Sequence, residues 1–420
     1  MNTDCWSAED LAEIRLKVGN YLWLYLQPSA SIEELTSSVQ NLTNLSKTDI
    51  EYLSIVHYLL SDEVKNFILS SPKLIRRFSH STQKEKIVYR GLVKGAIDWN
   101  LTVKERSTKG LDWTLFVCKP TSRIYNLPEN QLFKFLLIQI KRLIEELQVL
   151  PSNEVETLSL DQLKTEDGKE TLKERLAWLR QNINNVLKSV LLDGVDLPGF
   201  VSERMVIRAQ TARNKDYEVV ATAYLLFYGL LEKMDRQLLE RLLKTRILEP
   251  LEKDRLYELY VLFEIMAALG KPFEINLIKS GAEAIATYKL DTTDVKVFYQ
   301  KASGLLENSV YKNVFDNYEL DVSLRRPDIV LQIKTEKESK LLIVEVKRSI
   351  NDDYIVDSVY KVLGYLADFK TQFPNEGQKP KALLVVWSIK RKNPNIPLAP
   401  QEIIILGASE IRDYVKELLS

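Results

Sequence analysis

A short apolar run that ends in two charged residues places the strongest constraint on how this chain can fold. Residues 341–344 read Leu-Leu-Ile-Val, and Glu345-Val346-Lys347 follow directly. A run of this length and composition predicts a buried β-strand. Side chains alternate along a strand, so we expect Glu345 and Lys347 on one face and Val346 on the other. Because buried strands rarely carry two charges on one face, the pattern predicts a functional site.

A second apolar strand, over residues 328–333, is predicted to pair with the first. The charged residues 336–340 form the turn between the two strands. Pairing outward from that turn sets Asp328 opposite Lys347, to within about one residue pair. Neighbouring strands lie about 5 Å apart, so a single cation could bridge the carboxylates of Asp328 and Glu345.

These residue types favour metal-assisted hydrolysis of a phosphodiester. Mg²⁺ prefers oxygen ligands, keeps several waters and takes one or two protein carboxylates; Mn²⁺ accepts similar ligands. Lys347 would orient the attacking water or stabilise charge on the phosphate. Arg325 and Arg326 stand beside the site and are candidate phosphate contacts. The alternative for Asp328, Glu345 and Lys347 is a surface hairpin with a cross-strand salt bridge.

The spacing of these residues resembles a known signature. Pro327-Asp328, sixteen further residues and then Glu345-Val346-Lys347 resemble the motif of the PD-(D/E)xK nuclease superfamily. The resemblance implies a restriction-endonuclease-like domain with a mixed central sheet. It implies that Asp328 and Glu345 bind the metal ion and that Lys347 is catalytic.

The same resemblance implies further site residues on the flanking helices. Families of this fold often place a glutamate near the metal on the helix before the sheet. Glu258 matches that residue as a catalytic and metal-binding group, and Glu264 is its competitor. These families also often place a polar residue and a tyrosine on the helix after the motif. Lys361 and Tyr365 match that pattern and are candidate contacts to phosphate or DNA.

The middle of the chain resembles McrC-type restriction subunits. The resemblance rests on residues 91–99, 115–118, 128–134 and 212–217. In that family this region precedes a PD-(D/E)xK nuclease and works with an AAA+ GTPase that recognises modified DNA. The resemblance therefore implies a bacterial restriction or phage-defence setting, DNA as target and an AAA+ NTPase as partner.

The whole chain is predicted to be an α+β multidomain protein. We expect a helical N-terminal region over residues 1–82, a small β unit over 83–126, a helical middle region over 127–249 and the nuclease domain over 250–420. Residues 217–247 are predicted to form one long amphipathic helix. Residues 152–173 are mostly polar, which favours an exposed loop or the start of a helix.

Composition narrows the possible classes of protein. The 420 residues contain 58 Lys plus Arg and 58 Asp plus Glu, so any contact with nucleic acid must come from local patches or be delivered by a partner. Two cysteines and two histidines argue against a disulfide framework and a zinc finger. No signal peptide, membrane-spanning run or P-loop is apparent, so we expect a cytoplasmic protein without P-loop NTPase activity of its own.

The function predicted from the sequence is that of a Mg²⁺- or Mn²⁺-dependent DNA endonuclease. A cut through both strands needs two active sites, so a homodimer is a possible form. One alternative is a non-catalytic DNA-binding or assembly subunit that partners and activates an AAA+ NTPase. Another is an RNase of the same fold, because nothing in the sequence recognisably contacts a 2′-hydroxyl.

Overall fold

The structure is a computed structural model of the whole chain. It describes residues 6–25, 32–43, 45–149, 163–165, 168–233, 235–275, 284–290, 292–300, 309–311, 314, 326–336, 338–373, 377–389 and 401–419. No helix within these ranges is long and apolar enough to cross a membrane.

The α-helices occupy most of the first two thirds of the chain. They are α1 (Ala8–Tyr25), α2 (Ile32–Thr43), α3 (Lys47–Leu60), α4 (Asp62–Arg76), α5 (Trp99–Thr108), α6 (Pro128–Val149), α7 (Leu172–Leu187), α8 (Glu203–Gln210), α9 (Asp216–Phe227), α10 (Arg236–Leu242), α11 (Lys253–Leu269), α12 (Asp352–Asp368) and α13 (Ile411–Leu419).

The strands lie in two groups along the chain. They are β1 (Ser81–Lys84), β2 (Ile87–Arg90), β3 (Ala96–Ile97), β4 (Leu115–Lys119), β5 (Thr121–Ile124), β6 (Glu274–Ile275), β7 (Ala286–Leu290), β8 (Thr293–Tyr299), β9 (Ile329–Thr335), β10 (Ser339–Lys347), β11 (Ala382–Val386) and β12 (Ile403–Gly407).

The chain divides into two compact units. One unit combines Met1–Leu53 with Arg236–Ser420, and the other is Ser54–Asp235. This grouping joins the N-terminal helices to the C-terminal sheet, whereas the sequence suggested four consecutive segments. The boundaries of those segments as domains stay a prediction.

A seven-stranded mixed sheet forms the centre of the discontinuous unit. Its strand order is β12-β11-β10-β9-β8-β7-β6. Strands β10, β11 and β12 run parallel, whereas β6 to β10 pair antiparallel. The prediction of an α+β chain with a mixed C-terminal sheet is therefore confirmed. Strand β10 is apolar on both faces because it is covered on both, which is typical of a central strand.

Helices cover both faces of this sheet. One face packs against α12, where Val362 and Phe369 join Ile343 and Leu384 in a single apolar cluster. Helix α11 contacts β10 and is itself covered by α1 and α13. Tyr21 and Tyr25 of α1 stack on Phe263 of α11, with ring centroids 5.9 and 5.7 Å apart. The sheet is thus one layer of a three-layer core.

The second unit is a helical body with a β-ribbon. Helices α4 and α6–α9 pack against one another. Strands β1 and β5 pair antiparallel, as do β2 and β4, and β3 adds to β4. Pro120 separates β4 from β5 because it lacks the N–H that the ladder needs. Gly95 lies against this break with φ of 84°, and a Cβ atom there would meet the backbone of Pro120 at 2.9 Å.

The single long helix predicted over residues 217–247 is wrong. Helix α9 ends at Phe227 and passes into a π-helical turn over Tyr228–Glu232. A second π-helical turn, Leu243–Ile247, follows α10. Gly229 lies in the first of these turns, and glycine is a poor residue for a helix interior. Of the polar stretch 152–173, only residues 163–165 and 168–173 are described, and α7 begins within it.

The sheet core generates a prediction about stability. Leu384→Ala is expected to lower the free energy of unfolding by about 2–5 kcal/mol, because the side chain is fully buried on β11 and its loss leaves a cavity. Leu24→Ala is the matched control, since Leu24 is 67% exposed and its loss should change stability by less than about 0.5 kcal/mol. Urea unfolding checks both, and equal effects would contradict the assigned core.

Candidate functional site

The hairpin of β9 and β10 brings Asp328 level with Glu345. Val344 pairs with Ile329, so the next step in the register joins these two carboxylate residues. The sequence analysis predicted that Asp328 lies opposite Lys347, which is two residues from Glu345. The predicted register was therefore wrong. The hairpin closes through the Thr335 N–H, which donates to the carbonyl of Glu338 at 2.8 Å, and this shifts the turn's centre towards the N-terminus.

Glu345 lies at the centre of the site. Its residue exposure is 0%, which excludes the surface hairpin considered as the alternative. One carboxylate oxygen, Oε1, accepts from Lys347 Nζ at 2.7 Å and from Lys361 Nζ at 2.6 Å. The other oxygen, Oε2, is buried and has no hydrogen-bond partner within the described part of the chain. One oxygen of this carboxylate is therefore bound by two ammonium groups, and the other is left without a hydrogen-bond donor among the described residues.

Asp328 is held by the strand that carries Glu345. The backbone N–H of Val346 donates to Asp328 Oδ2 at 2.7 Å. Lys347 also donates to the carbonyl of Val346, at 3.1 Å. The two-residue period along β10 thus places Glu345 and Lys347 on one face, as predicted.

Helix α12 carries Lys361 to the site. The Asn351 side chain caps the helix by accepting from the N–H groups of Asp353 and Tyr354, at 2.9 and 3.3 Å. Tyr365, one turn after Lys361, is buried and donates its hydroxyl to the carbonyl of Arg326 at 2.8 Å. Tyr365 therefore anchors the segment that leads into Asp328.

Glu258 reaches the same region from α11. Its Oε2 accepts from Gln300 Nε2 at 2.8 Å and from Tyr299 Oη at 3.4 Å, and lies 3.3 Å from Arg255 Nη1. The Arg255 guanidinium also lies over the Tyr299 ring, 4.8 Å from its centroid. These contacts fix the carboxylate from three directions.

Glu264, the competing glutamate, belongs to a different part of α11. Its Oε2 lies 3.2 Å from Arg412 Nε, and Tyr21 Oη donates to its Oε1 at 3.2 Å. Arg412 also donates to Tyr21 Oη at 2.7 Å. This triad holds α1, α11 and α13 together, so Glu264 has a packing role.

The carboxyl groups of the site are perturbed by one another. Burial raises the pKa of Asp328 to about 7, and the neighbouring carboxylates of Glu345 and Glu258 add to the rise. Burial also raises the pKa of Glu258, although Arg255 and Lys347 oppose the shift. Burial is thus the main cause of both shifts, and repulsion between the carboxylates adds to it.

The two lysines remain cationic. Burial alone would lower the pKa of Lys347, but Glu345 and Asp328 outweigh it and the pKa is raised. The pKa of Lys361 is raised in the same way, against the effect of burial, chiefly by Glu345. Neither amine is a base at neutral pH, so both act as fixed positive charges.

The residues present fit a divalent cation held by few protein ligands. Within the described ranges, no three His, Cys, Asp or Glu side chains form a group that could hold a metal ion. Mg²⁺ needs only one or two carboxylates and keeps its remaining waters. The open Oε2 of Glu345 and the adjacent Asp328 carboxyl supply these donors. Two carboxylates therefore suit Mg²⁺ or Mn²⁺ better than they suit a structural metal ion whose ligands all come from the protein.

The other residues predicted for the site are placed as follows. Lys361 and Tyr365 contact Glu345 and the Arg326 carbonyl, and their roles in binding phosphate or DNA stay predictions. Arg326 is exposed, and Arg325 lies outside the described residues. Sequence reasoning missed Gln300, whose N–H also donates to the carbonyl of Asp328 at 2.8 Å. A polar residue directly after the apolar strand β8 was the available signal.

Comparison with known proteins adds little. No protein-family model and no curated protein matches the chain. Among solved structures, the chain is similar to one described as a refined half-complex from the tetradecameric assembly of Thermococcus gammatolerans McrB AAA+ hexamers with bound McrC. The alignment covers 98% of this chain and 78% of that chain, at 11% sequence identity and a TM-score of 0.27. A likeness this weak carries no argument about fold, activity or partner.

Asp328 generates a prediction about pH. The folded protein keeps a proton on Asp328 up to about pH 7, whereas the unfolded chain releases it near pH 4. Without divalent cations, stability is therefore lost as pH rises through this window. Asp328→Asn removes the crowded charge and is expected to raise Tm at pH 8, with a difference that shrinks towards pH 4. Calorimetry in EDTA measures this, with the exposed Asp357→Asn as control; identical pH profiles for wild type and Asp328→Asn would contradict the assignment.

The carboxylate pair generates a second prediction, about metal binding. Mg²⁺ at a hundredfold excess over its Kd is expected to stabilise the wild-type protein by about 2.7 kcal/mol. Glu345→Gln and Asp328→Asn should lose this gain, whereas Glu338→Gln, an exposed change in the same hairpin, should keep it. Thermal unfolding with increasing Mg²⁺ and Mn²⁺ is the measurement. Stabilisation that survives in Glu345→Gln would place the cation elsewhere.

Proposed function

We propose that this protein is a metal-dependent nuclease whose site is formed by Asp328, Glu345, Lys347 and Glu258. The observation that carries the proposal is the unpartnered carboxylate oxygen of Glu345. Its Oε1 is bound by two lysines, and its Oε2 is buried without a partner in the described chain. A buried polar atom that lacks a partner is costly, so something is expected to bind this oxygen. The crowding of Asp328 and Glu258 points to a cation as that partner.

The cation, held by Asp328 and Glu345, would activate a water molecule and polarise a phosphoryl oxygen. Lys347 supplies a fixed ammonium beside that position, because its pKa is raised and it keeps its proton. It stabilises the negative charge that develops on the phosphate as water attacks. Glu258, whose Oε2 accepts from Gln300 Nε2, would supply a further carboxylate to the cation or to its bound water.

The proposed substrate is DNA, cut internally in a bacterial restriction or phage-defence setting. This part of the proposal rests on the sequence resemblance of residues 91–99 and 212–217 to McrC-type subunits. From the same resemblance we propose an AAA+ NTPase as partner. A cut through both strands further requires two active sites, so we propose that two copies of the chain act together. RNA is the competing substrate, and the cleavage assay below distinguishes the two polymers.

One observation favours a second function, that of a non-catalytic assembly subunit. Lys347 and Lys361 both occupy the same oxygen of Glu345, so the carboxylate already has two cationic partners. A protein that used the fold only to bind DNA could keep this arrangement as a closed ion-pair network. Such a subunit would activate its AAA+ partner and would have no need of a divalent cation.

Cleavage of plasmid DNA and of RNA with Mg²⁺ or Mn²⁺ tests the nuclease. Lys347→Met is expected to lower the rate by at least about a hundredfold, because it removes charge stabilisation in the transition state. Glu345→Gln should have a comparable effect through loss of the metal ligand. Lys340→Met and Glu338→Gln lie on the same hairpin, are exposed, and should cut at the wild-type rate.

The outcomes separate the two functions. Metal-dependent cutting that disappears in Lys347→Met and persists in Lys340→Met supports the nuclease and identifies its polymer. Full activity in Lys347→Met would refute the proposed site. Absence of cutting by wild type, together with metal-independent stimulation of an AAA+ partner that survives Glu345→Gln, would favour the assembly subunit.

A further inference from the structure

Charge is unevenly distributed along this electrically neutral chain. Residues 81–126, which contain the β-ribbon and α5, carry nine Lys or Arg and four Asp or Glu. The whole chain has 58 of each sign, so this segment is basic and the remainder is acidic. A local excess of positive charge on a small element is the electrostatic mark of a polyanion-binding surface.

The strands of this segment form two short sheets, β1 with β5 and β2 with β4 and β3, that keep one antiparallel register. Lys84 pairs with Thr121 in β1 and β5, and Ile87 pairs with Cys118 in β2 and β4. Both pairs belong to the same antiparallel register. The pairing of β2 with β4 therefore continues that of β1 with β5 on the other side of Pro120. Residues 81–90 therefore run alongside residues 115–124, with a break in the pairing at residues 85–86 and at Pro120. We call this element the basic ribbon.

Cationic side chains share one face of the basic ribbon. Thr82 pairs with Arg123, and Lys84 lies two residues from Thr82, so Lys84 and Arg123 point the same way. Lys86 and Lys119 follow in the same register, and both approach Asp98 Oδ2, at 3.9 and 2.8 Å. That shared partner shows that Lys86 and Lys119 lie close to each other.

The acids of the segment neutralise only part of this charge. Asp98 pairs with Lys86 and Lys119, and Asp112 lies 3.5 Å from Arg90. Glu105 pairs with Lys109 at 3.0 Å. Within the described chain, no ion pair forms at the exposed cations Lys84, Lys94, Lys104 and Arg123. These four side chains are available to an external anion.

Two tryptophans lie exposed on the same small element. Trp113, at the turn into β4, is 74% exposed, and Trp99, at the start of α5, is 59% exposed. The Arg106 guanidinium lies 5.5 Å from the centroid of the Trp113 ring, so the ring already accepts a planar cation. Exposed aromatic rings and unpaired cations on one element are a combination that binds nucleic acid, since bases stack on the rings and phosphates contact the cations.

We propose that the basic ribbon is a second nucleic-acid-binding site, which contacts the sugar-phosphate backbone through Lys84 and Arg123 and stacks unpaired bases on Trp113. The binding is independent of sequence, because cations and ring faces do not read base edges. The inference does not depend on the proposed nuclease, since its residues belong to a different unit from Asp328 and Glu345.

The test measures binding without cleavage. Full-length protein carrying Glu345→Gln is titrated in EDTA against fluorescently labelled 20-nucleotide single strands of DNA and RNA and a 20-base-pair DNA duplex. Anisotropy gives Kd at several salt concentrations. The affected variant is Lys84→Ala/Arg123→Ala. The matched control is Lys47→Ala/Lys141→Ala, which removes the same charge from exposed positions outside the ribbon.

Lys84→Ala/Arg123→Ala is expected to bind at least about tenfold more weakly at 100 mM salt. The negative slope of log K against log salt should become shallower by about 2. The control should change neither quantity. Trp113→Ala should weaken binding of single strands and leave the duplex unaffected, because only unpaired bases stack. Circular dichroism confirms that each variant is folded.

An unchanged salt slope in Lys84→Ala/Arg123→Ala would overturn the proposal, and so would an equal loss in the lysine control. Preference for DNA or RNA single strands identifies the polymer that the ribbon binds. Loss of cutting in the nuclease assay with normal ribbon binding here would leave this inference intact, so the two proposals fail separately.

Discussion

The structure around the candidate site depends on the burial of one negative charge. The carboxylate of Glu345 lies in the middle of a seven-stranded sheet with no exposed surface. An ion in that position is tolerated only if opposite charges reach it with good geometry. Lys347 supplies one from the same strand and Lys361 another from α12, which ties the helix to the strand. The apolar packing of α12 and this ion pair therefore specify the same placement of the helix.

Much of the sheet follows from local pattern. The apolar runs of β9, β10 and β11 predicted buried strands, and their two-residue period predicted that Glu345 and Lys347 share a face. The register of Asp328 was two residues off because it depends on where the turn closes. Residues 336–340 are all polar or charged, so composition does not locate the turn's centre. The backbone bond between Thr335 and Glu338 does, and that bond is a feature of three-dimensional geometry.

Contacts between distant segments were beyond sequence reasoning. Glu258 and Gln300 are 42 residues apart, and nothing in the sequence around either residue indicates their hydrogen bond. The distinction between Glu258 and Glu264 likewise required the fold, because both lie on the apolar helix α11. Arg412 and Tyr21, near opposite ends of the described chain, decide it by binding Glu264. The π-helical turns within residues 217–247 were likewise not predicted, because each is a single turn with no sequence signature of its own.

The discontinuity of the site-bearing unit has a consequence for biosynthesis. Domains generally fold in the order in which the ribosome delivers them. The unit Ser54–Asp235 is contiguous, so it is complete before any strand of the large sheet has been made. Helix α1, by contrast, cannot complete its packing until α11 has been made, because Tyr21 and Tyr25 stack on Phe263 of α11. The buried carboxylate and its two lysines are thus assembled late in translation, after α1 and the whole contiguous unit have been made.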